Sequence, residues 1–304
     1  MSTIKAIETC LQQLNHVILG KQLETKLALA CLLAKGHLLI EDIPGMGKTT
    51  LAHALANSLG LAYQRIQFTS DMLPGDILGL NIFDRNESKF HFHPGPIFSN
   101  LVLADEINRA SPKTQSALLE AMEERQVTYE GETRKLPSPF FVIATQNPNE
   151  QAGTFPLPES QLDRFMMCIS LGYPSAEAEK QLLKGANRRD IIDQIQAVLE
   201  TDTLKKIQSL VHQVKCSDSL IDYTYRLVNF SRSNSDHYHG LSPRAAITLL
   251  HAAKSWAVIE GRNHLLPDDI QAVFPSVAEH RISNGQKKAD NPISQNILES
   301  VDIF

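Results

Sequence analysis

The chain has 304 residues, 42% hydrophobic and 21% charged, which is enough material for two domains of ordinary size. Its 29 basic and 34 acidic residues give a net charge of -5 and a pI near 6.1, so no basic footprint for general nucleic-acid binding exists and nucleic acid is not an expected partner. Cys10, Cys31, Cys168 and Cys216 show no C-x-x-C pairing, the start MSTIKAIETC lacks a signal-peptide layout, and no run suits a membrane span; buried thiols in a reduced, cytoplasmic setting are expected.

Ile4, Ile7, Leu11 and Leu14 recur at helical spacing and predict an amphipathic helix over 3–16. Val17-Ile18-Leu19-Gly20 leads into a second helix over 21–35; this short apolar box can be read as linker and core or as the lining of an adenine pocket. The apolar Leu38-Leu39-Ile40 suits a buried strand. It breaks into Pro44-Gly45-Met46-Gly47-Lys48-Thr49, followed by a helix-prone run from Thr50. Strand, glycine loop and helix N-terminus form a phosphate cradle, in which unpaired backbone N–H groups, Lys48 and a Thr49-bound Mg²⁺ share the anionic charge. Asp42 stands where the usual pattern G-x-x-x-x-G-K-[ST] has glycine, and a carboxylate near a polyphosphate is unfavourable unless it turns away.

Residues 63–68 read as the next strand, and 69–100 as an irregular region with small elements of its own. His91 and His93 share one face if extended, but two imidazoles without a third ligand fit a polar hairpin face better than a metal site. Leu101 to Ala104 is an apolar strand ending in Asp105 and Glu106. In this place Asp105 would hold Mg²⁺ and Glu106 would polarise a water for attack on the γ-phosphorus. A helix over 113–125, a hairpin over 127–135 and a strand over 140–147 follow. Asn147, at the strand's tip, suits either a hydrogen bond to the attacking water or γ-phosphate, or a turn cap before Pro148. A fifth strand spans 166–171. Strands interleaved with helices predict an α/β domain with a largely parallel sheet, whose carboxyl ends gather Lys48, Asp105 and Asn147.

Beyond Tyr173 the strand runs stop, and helical spacing appears over 176–183, 191–200, 204–214 and 219–232. His237 and His239 fall in a predicted loop. Ser242 as N-cap and Pro243 at N1 start a helix running to Gly261. Arg244 lies in its first turn, unfavourable for a cation unless an acidic side chain or a phosphate compensates it. A last helix begins at Pro267, and the tail from Ser283 is polar as far as Ile293.

ADEINRASPKTQSALLEAMEERQVT (104–128), with EDIPGMGKTT, ATQNPNE, LPESQLDRF and GLSPRAA in the same order, resembles the MoxR family of AAA+ ATPases over nearly the whole chain. The resemblance implies a P-loop NTPase core with a parallel five-stranded sheet over 1–173 and a smaller all-helical lid over 174–304. It implies ATP and Mg²⁺ as cofactors, nucleotide contacts from Val17, Ile18, Gly20 and the run Pro44, Gly45, Met46, Gly47, Lys48, Thr49 and Thr50, and Mg²⁺ held at Thr49 and Asp105. Glu106 corresponds to the base, Asn147 to the first sensor, Arg164 to an arginine finger reaching the neighbouring subunit's ATP, and Arg244 to the second sensor. Family members commonly carry an acidic residue where Asp42 stands. Further implications are a homo-oligomeric ring, a hexamer, and an ATP-driven remodelling or chaperone-like role in maturation or metal insertion, with a von Willebrand factor A domain protein as partner. An assembly switch with little turnover, or a DNA-dependent motor, are the alternative readings.

Overall fold

The computed structural model describes residues 3–148, 152–184, 191–192, 194–233, 240–283 and 292–303. His237 and His239 lie outside them. Five parallel strands form the central sheet: β1 (Leu38–Glu41), β2 (Tyr63–Gln67), β5 (Leu101–Asp105), β8 (Phe141–Gln146) and β9 (Met167–Ile169), in the order β2-β5-β8-β1-β9. The central strands β1, β5 and β8 are buried on both faces, which explains their unbroken apolar runs. Strand β2 lies at the edge and is more open, with Gln64, Arg65 and Gln67 exposed and Ile66 buried.

Helices cover both faces. On one side α1 (Thr3–Val17), α2 (Gln22–Leu33) and α3 (Lys48–Ser58) bury Ile7, Leu14, Leu29 and Leu55 against the sheet. On the other, α5 (Pro112–Glu124) buries Leu118, Leu119 and Met122. Between β2 and β5 the chain forms a short helix α4 (Pro74–Leu78) and a hairpin of β3 (Gly79–Asp84) and β4 (Lys89–Pro94). A second hairpin, β6 (Gln126–Tyr129) with β7 (Glu132–Lys135), leads toward β8. The two hairpins meet where Arg134 lies over the Phe92 ring, 3.9 Å from its centroid.

After α6 (Glu159–Leu162) and β9 the described elements are helices: α7 (Ala176–Lys184), α8 (Thr201–Gln213), α9 (Asp218–Ser233), α10 (Pro243–Ile259), α11 (Pro267–Ile282) and α12 (Ile293–Ser300). Their apolar faces join those of α1, α2 and α3 in one continuous core. Polar ties reinforce the junction. Ser255 Oγ donates to the Ala30 carbonyl (2.7 Å) and Gln208 Nε2 to that of Leu32 (3.0 Å). The helix expected over 191–200 does not form across the described residues: 191–192 are helical and 194–200 are not. Val198 N–H donates to the Ser58 carbonyl (2.9 Å), and the Ile192 carbonyl accepts from Asn57 Nδ2 (2.9 Å). Tertiary partners at the end of α3 thus replace helical ones. The polar tail contributes α12, whose first N–H groups, from Ile293 and Ser294, are capped by the Glu279 carboxylate (3.3 and 2.8 Å).

His37 sits beneath β1, fully enclosed. Its Nδ1 accepts from Val142 N–H (3.0 Å), which leaves Nε2 to donate to the Met122 carbonyl (3.2 Å). Burial, aided by Arg125 and opposed by the Met122 bond, pushes its pKa down to about 4. The unfolded chain therefore binds a proton that the fold refuses between pH 6.5 and about 4, and stability rises with pH across that window. His251 behaves alike, also lowered to about 4, chiefly by burial. Thermal midpoints should fall as pH drops below about 6.5, before carboxylates titrate; a flat profile from pH 7 to 5 would contradict this.

Candidate functional site

The loop Asp42–Gly47 leaves the carboxyl end of β1 and feeds α3. Gly45 and Gly47 take φ of +87° and +89°, the left-handed region that glycine enters without strain. The first α3 bond from Leu51 N–H returns to the Gly47 carbonyl (2.9 Å), so the earlier N–H groups of the turn face the loop without helical acceptors. Lys48 Nζ spans the loop, donating to the carbonyls of Asp42 (2.5 Å) and Ile43 (3.3 Å). Burial lowers its pKa, while the carboxylates of Asp42, Asp105 and Glu106 act the other way. This is a cradle for a polyanion: oriented N–H groups, one ammonium and a helix N-terminus.

Asp42 is 7% exposed and turned away from the loop. Its Oδ2 accepts from Gly172 N–H (2.6 Å) and Ser170 Oγ (3.2 Å), and its Oδ1 from Ile43 N–H (3.0 Å). The carboxylate that appeared incompatible with phosphate is instead consumed by the segment following β9, where the chain leaves the sheet for the helices. The box Val17, Ile18 and Gly20 meets the same segment. Gly20 lies against Ala178 and Ser175, and Lys21 Nζ donates to the Tyr173 carbonyl (2.9 Å). The side chains of Val17 and Ile18 themselves are buried in the core.

At the end of β5, Asp105 Oδ1 accepts from Thr145 Oγ1 (2.6 Å), and Oδ2 from Arg65 Nη2 (2.6 Å) and Nε (3.1 Å). Thr145 Oγ1 in turn accepts from Glu106 N–H (2.9 Å). Glu106 has a φ of +57°, a conformation non-glycine residues seldom adopt, and the Thr145 bond helps hold it. Its Oε2 accepts from Gln67 Nε2 (2.9 Å) and pairs with Arg109 Nε (3.0 Å). Asn147 follows β8, the strand between β5 and β1, and so stands among these groups. Thr49 and Asp105 supply hard oxygen donors that suit Mg²⁺, an ion that keeps most of its waters and takes one or two protein ligands. Arg65, Gln67 and Thr145 were not identified from the sequence. The available signal for the first two was their i, i+2 spacing on a strand, which places them on one face.

Arg164 and Arg244 are elsewhere. Arg164 Nη2 pairs with Glu123 Oε2 (3.2 Å) and Arg244 Nη2 with Glu123 Oε1 (3.1 Å), one carboxylate serving both. Ser242 caps α10 as expected, accepting from Ala245 N–H (3.0 Å), and the acidic partner that Arg244 requires is Glu123. Arg164 precedes β9, whose Met167 is level with Leu38 at the start of β1, and Glu123 lies in the last turn of α5, whose neighbours Met122 and Arg125 bond to His37 and to the Lys35 carbonyl just before β1. Both arginines therefore sit at the amino end of the sheet. From His37 to Asp42 is roughly 16 Å at 3.3 Å per residue. The pair does not meet its own phosphate loop. On the β3–β4 hairpin His91 pairs with Glu87 (3.0 Å), and Asp84 lies with them, its ligand atom within 4.8 Å of theirs; this group is exposed and His93 is not part of it.

Replacing Asp42 by glycine would restore the consensus pattern yet should weaken the protein. It leaves Gly172 N–H unpaired and costs about 1–3 kcal/mol. A thermal midpoint for Asp42→Gly equal to or above that of the parent would contradict this role.

Comparison with known proteins agrees with this geometry. Residues 37–167 match the model of the ATPase family associated with various cellular activities (AAA), and residues 230–301 match an AAA lid domain. The chain is 46% identical to the uncharacterized protein YeaC of Bacillus subtilis, over 91% of this chain and 86% of that one. It is 38% identical to chaperone MoxR1 of Mycobacterium tuberculosis, over 92% and 76% respectively. A crystal structure from Cytophaga hutchinsonii, assigned as an ATPase, superposes with a TM-score of 0.87 at 36% identity, covering 99% of this chain and 95% of that one. The chain thus belongs to the MoxR family of AAA+ ATPases, nucleotide-binding proteins of chaperone-like function.

Proposed function

We propose that this protein hydrolyses ATP in a head-to-tail homo-oligomeric ring and uses the cycle to remodel a partner protein. One observation carries the reading: the polyanion cradle and the two arginines, each at least partly open to solvent, occupy opposite ends of one sheet. A finger that cannot reach its own cradle fits a heterologous interface, in which the arginine face of one copy meets the cradle of the next and rotation closes a ring. Arg244 shares Glu123 with Arg164, which supports its acting on the neighbour's nucleotide too. Arg164 and Arg244 retain 29% and 50% side-chain exposure, enough to exchange Glu123 for a phosphate. Ile247, one turn beyond Arg244 on α10, is 71% exposed and adds an apolar contact to that face.

In this reading the backbone of residues 44–50 and Lys48 bind the phosphates. Thr49 and Asp105 would hold Mg²⁺, and the ion would neutralise phosphate charge. Glu106 orients and deprotonates the attacking water, and Asn147 checks the γ-phosphate. Gln67 and Arg109, which hold the Glu106 carboxylate, have to yield for it to face that water. Arg164 and Arg244 of the adjacent copy stabilise the charge on the transferring group, so turnover requires assembly. The client class, a protein complex undergoing maturation or metal insertion with a von Willebrand factor A domain adaptor, rests on the family resemblance. A hexamer and a cytoplasmic location rest on it as well.

Glu106→Gln should bind ATP with little change while turnover falls at least 100-fold, within the range for loss of a general base. Equal turnover in the variant and the parent, in a phosphate-release assay, would remove Glu106 from that role. Arg164→Ala and Lys48→Ala should each be inactive alone and regain turnover when mixed, because mixed rings pair an intact cradle with an intact finger. Mixtures no more active than the separate variants would argue against action between subunits.

A further inference from the structure

Arg281, on α11, belongs to none of the groups above, yet no cation in the described chain is more completely engaged. Its side chain is 5% exposed. A guanidinium has five N–H donors, and here each has an acceptor. Nε donates to Asp163 Oδ1 (2.8 Å). Nη2 donates to the carbonyls of Phe165 (2.7 Å) and Asp163 (3.3 Å), and Nη1 to those of Met166 (3.3 Å) and Val277. All but the last belong to residues 163–166, the segment that carries Arg164. Next to Arg281, His280 Nε2 adds a bond to the Phe165 carbonyl (3.3 Å). The second oxygen of Asp163 accepts from Ser242 Oγ (3.4 Å), the cap of the helix that carries Arg244.

Burying a guanidinium carries a desolvation cost of several kcal/mol unless its donors are satisfied, and an apolar side chain of similar size would fill the same space without that cost. What the ion provides and an apolar residue would not is directional bonding to three backbone carbonyls within residues 163–166. Those bonds fix the turn on which Arg164 stands and, through Asp163, the first turn bearing Arg244. Arg281 cannot itself reach a neighbour's phosphate, being enclosed and saturated within its own chain.

We propose that Arg281 is a positioning residue for the arginine face: from the helical part of the chain it sets Arg164 and Arg244 for the nucleotide of the adjacent copy, and contributes nothing to its own cradle. This rests on the reading that Arg164 acts between subunits.

Subunit mixing tests it, because a positioning defect on that face has a genetic class that general damage lacks. Arg281→Lys keeps the charge and loses the fork. The variant should bind ATP within twofold of the parent and lose at least tenfold in kcat. Mixed with Glu106→Gln, which has a dead cradle and an intact arginine face, it should recover turnover above the sum of the two alone. Mixed with Arg164→Ala, which is damaged on the same face, it should not. Asp163→Asn, which keeps the shape and removes the carboxylate charge, should fall in the same class. Turnover within twofold of the parent, recovery with Arg164→Ala, or no recovery with Glu106→Gln would overturn the proposal, and so would loss of folding by circular dichroism in both variants, which would make the contact purely structural. If Arg164→Ala itself retains full turnover, the intersubunit reading fails instead, and the two failures are told apart by that control.

Discussion

A parallel sheet has two chemically different ends, and this asymmetry governs the molecule. Every strand delivers its carboxyl terminus to the same edge, so the loop after β1, the carboxylates after β5 and the amide after β8 gather without any long-range design. The price is that whatever precedes a strand is delivered to the far edge. Arg164 precedes β9 and is held there by Glu123. If Arg164 serves a phosphate site, as we propose, that site is incomplete in a single copy. On the proposed reading, the requirement for a second copy follows from strand direction before any interface is considered.

Asp42 shows how a local objection is resolved by tertiary structure. Within the loop pattern it is an unfavourable charge beside a phosphate. In the fold its oxygens are directed at Gly172 N–H, Ser170 Oγ and Ile43 N–H, none of them a phosphate-binding group. The glycine of the usual pattern would leave that exit segment without its anchor. The carboxylate therefore links the geometry of the phosphate loop to the start of the helical part of the chain, through two bonds to residues that lie over 120 positions away in sequence.

The sheet, its helices and the cradle were legible because they depend on local signals: apolar runs for strands buried on both faces, glycines at positive φ, a serine cap and a proline at N1. Strand ends then placed Lys48, Asp105 and Asn147 together. What was not legible depends on partners distant in sequence. Glu123 as the shared partner of Arg164 and Arg244 joins α5 to α6 and α10. Arg65 and Gln67 share a face of β2 by their spacing, but their targets, Asp105 and Glu106, are set by the pairing of β2 with β5. The helix expected over 191–200 had the right spacing and lost to the Ser58 carbonyl and Asn57, a competition no window of sequence contains. For Arg164 these local signals assign no role; its role as a finger rests on the family resemblance alone.

The helical part of the chain is not a freely hinged appendage. It shares one apolar core with α1, α2 and α3, and Ser255 and Gln208 bond the last carbonyls of α2. Rotation of the helices as a rigid body would have to expose that core, at about 25 cal/mol for each Å² of apolar surface returned to water. Small displacements along polar connections are far less costly. Two such connections leave the sheet, one at each end: Asp42 to the segment after β9, beside the cradle, and Asp163 to Arg281 and Ser242, beside the arginines. A shift of β9 along its axis would be felt at both. The short strand between them, three residues paired with β1, thus ties the segment beside the cradle to the segment that carries Arg164.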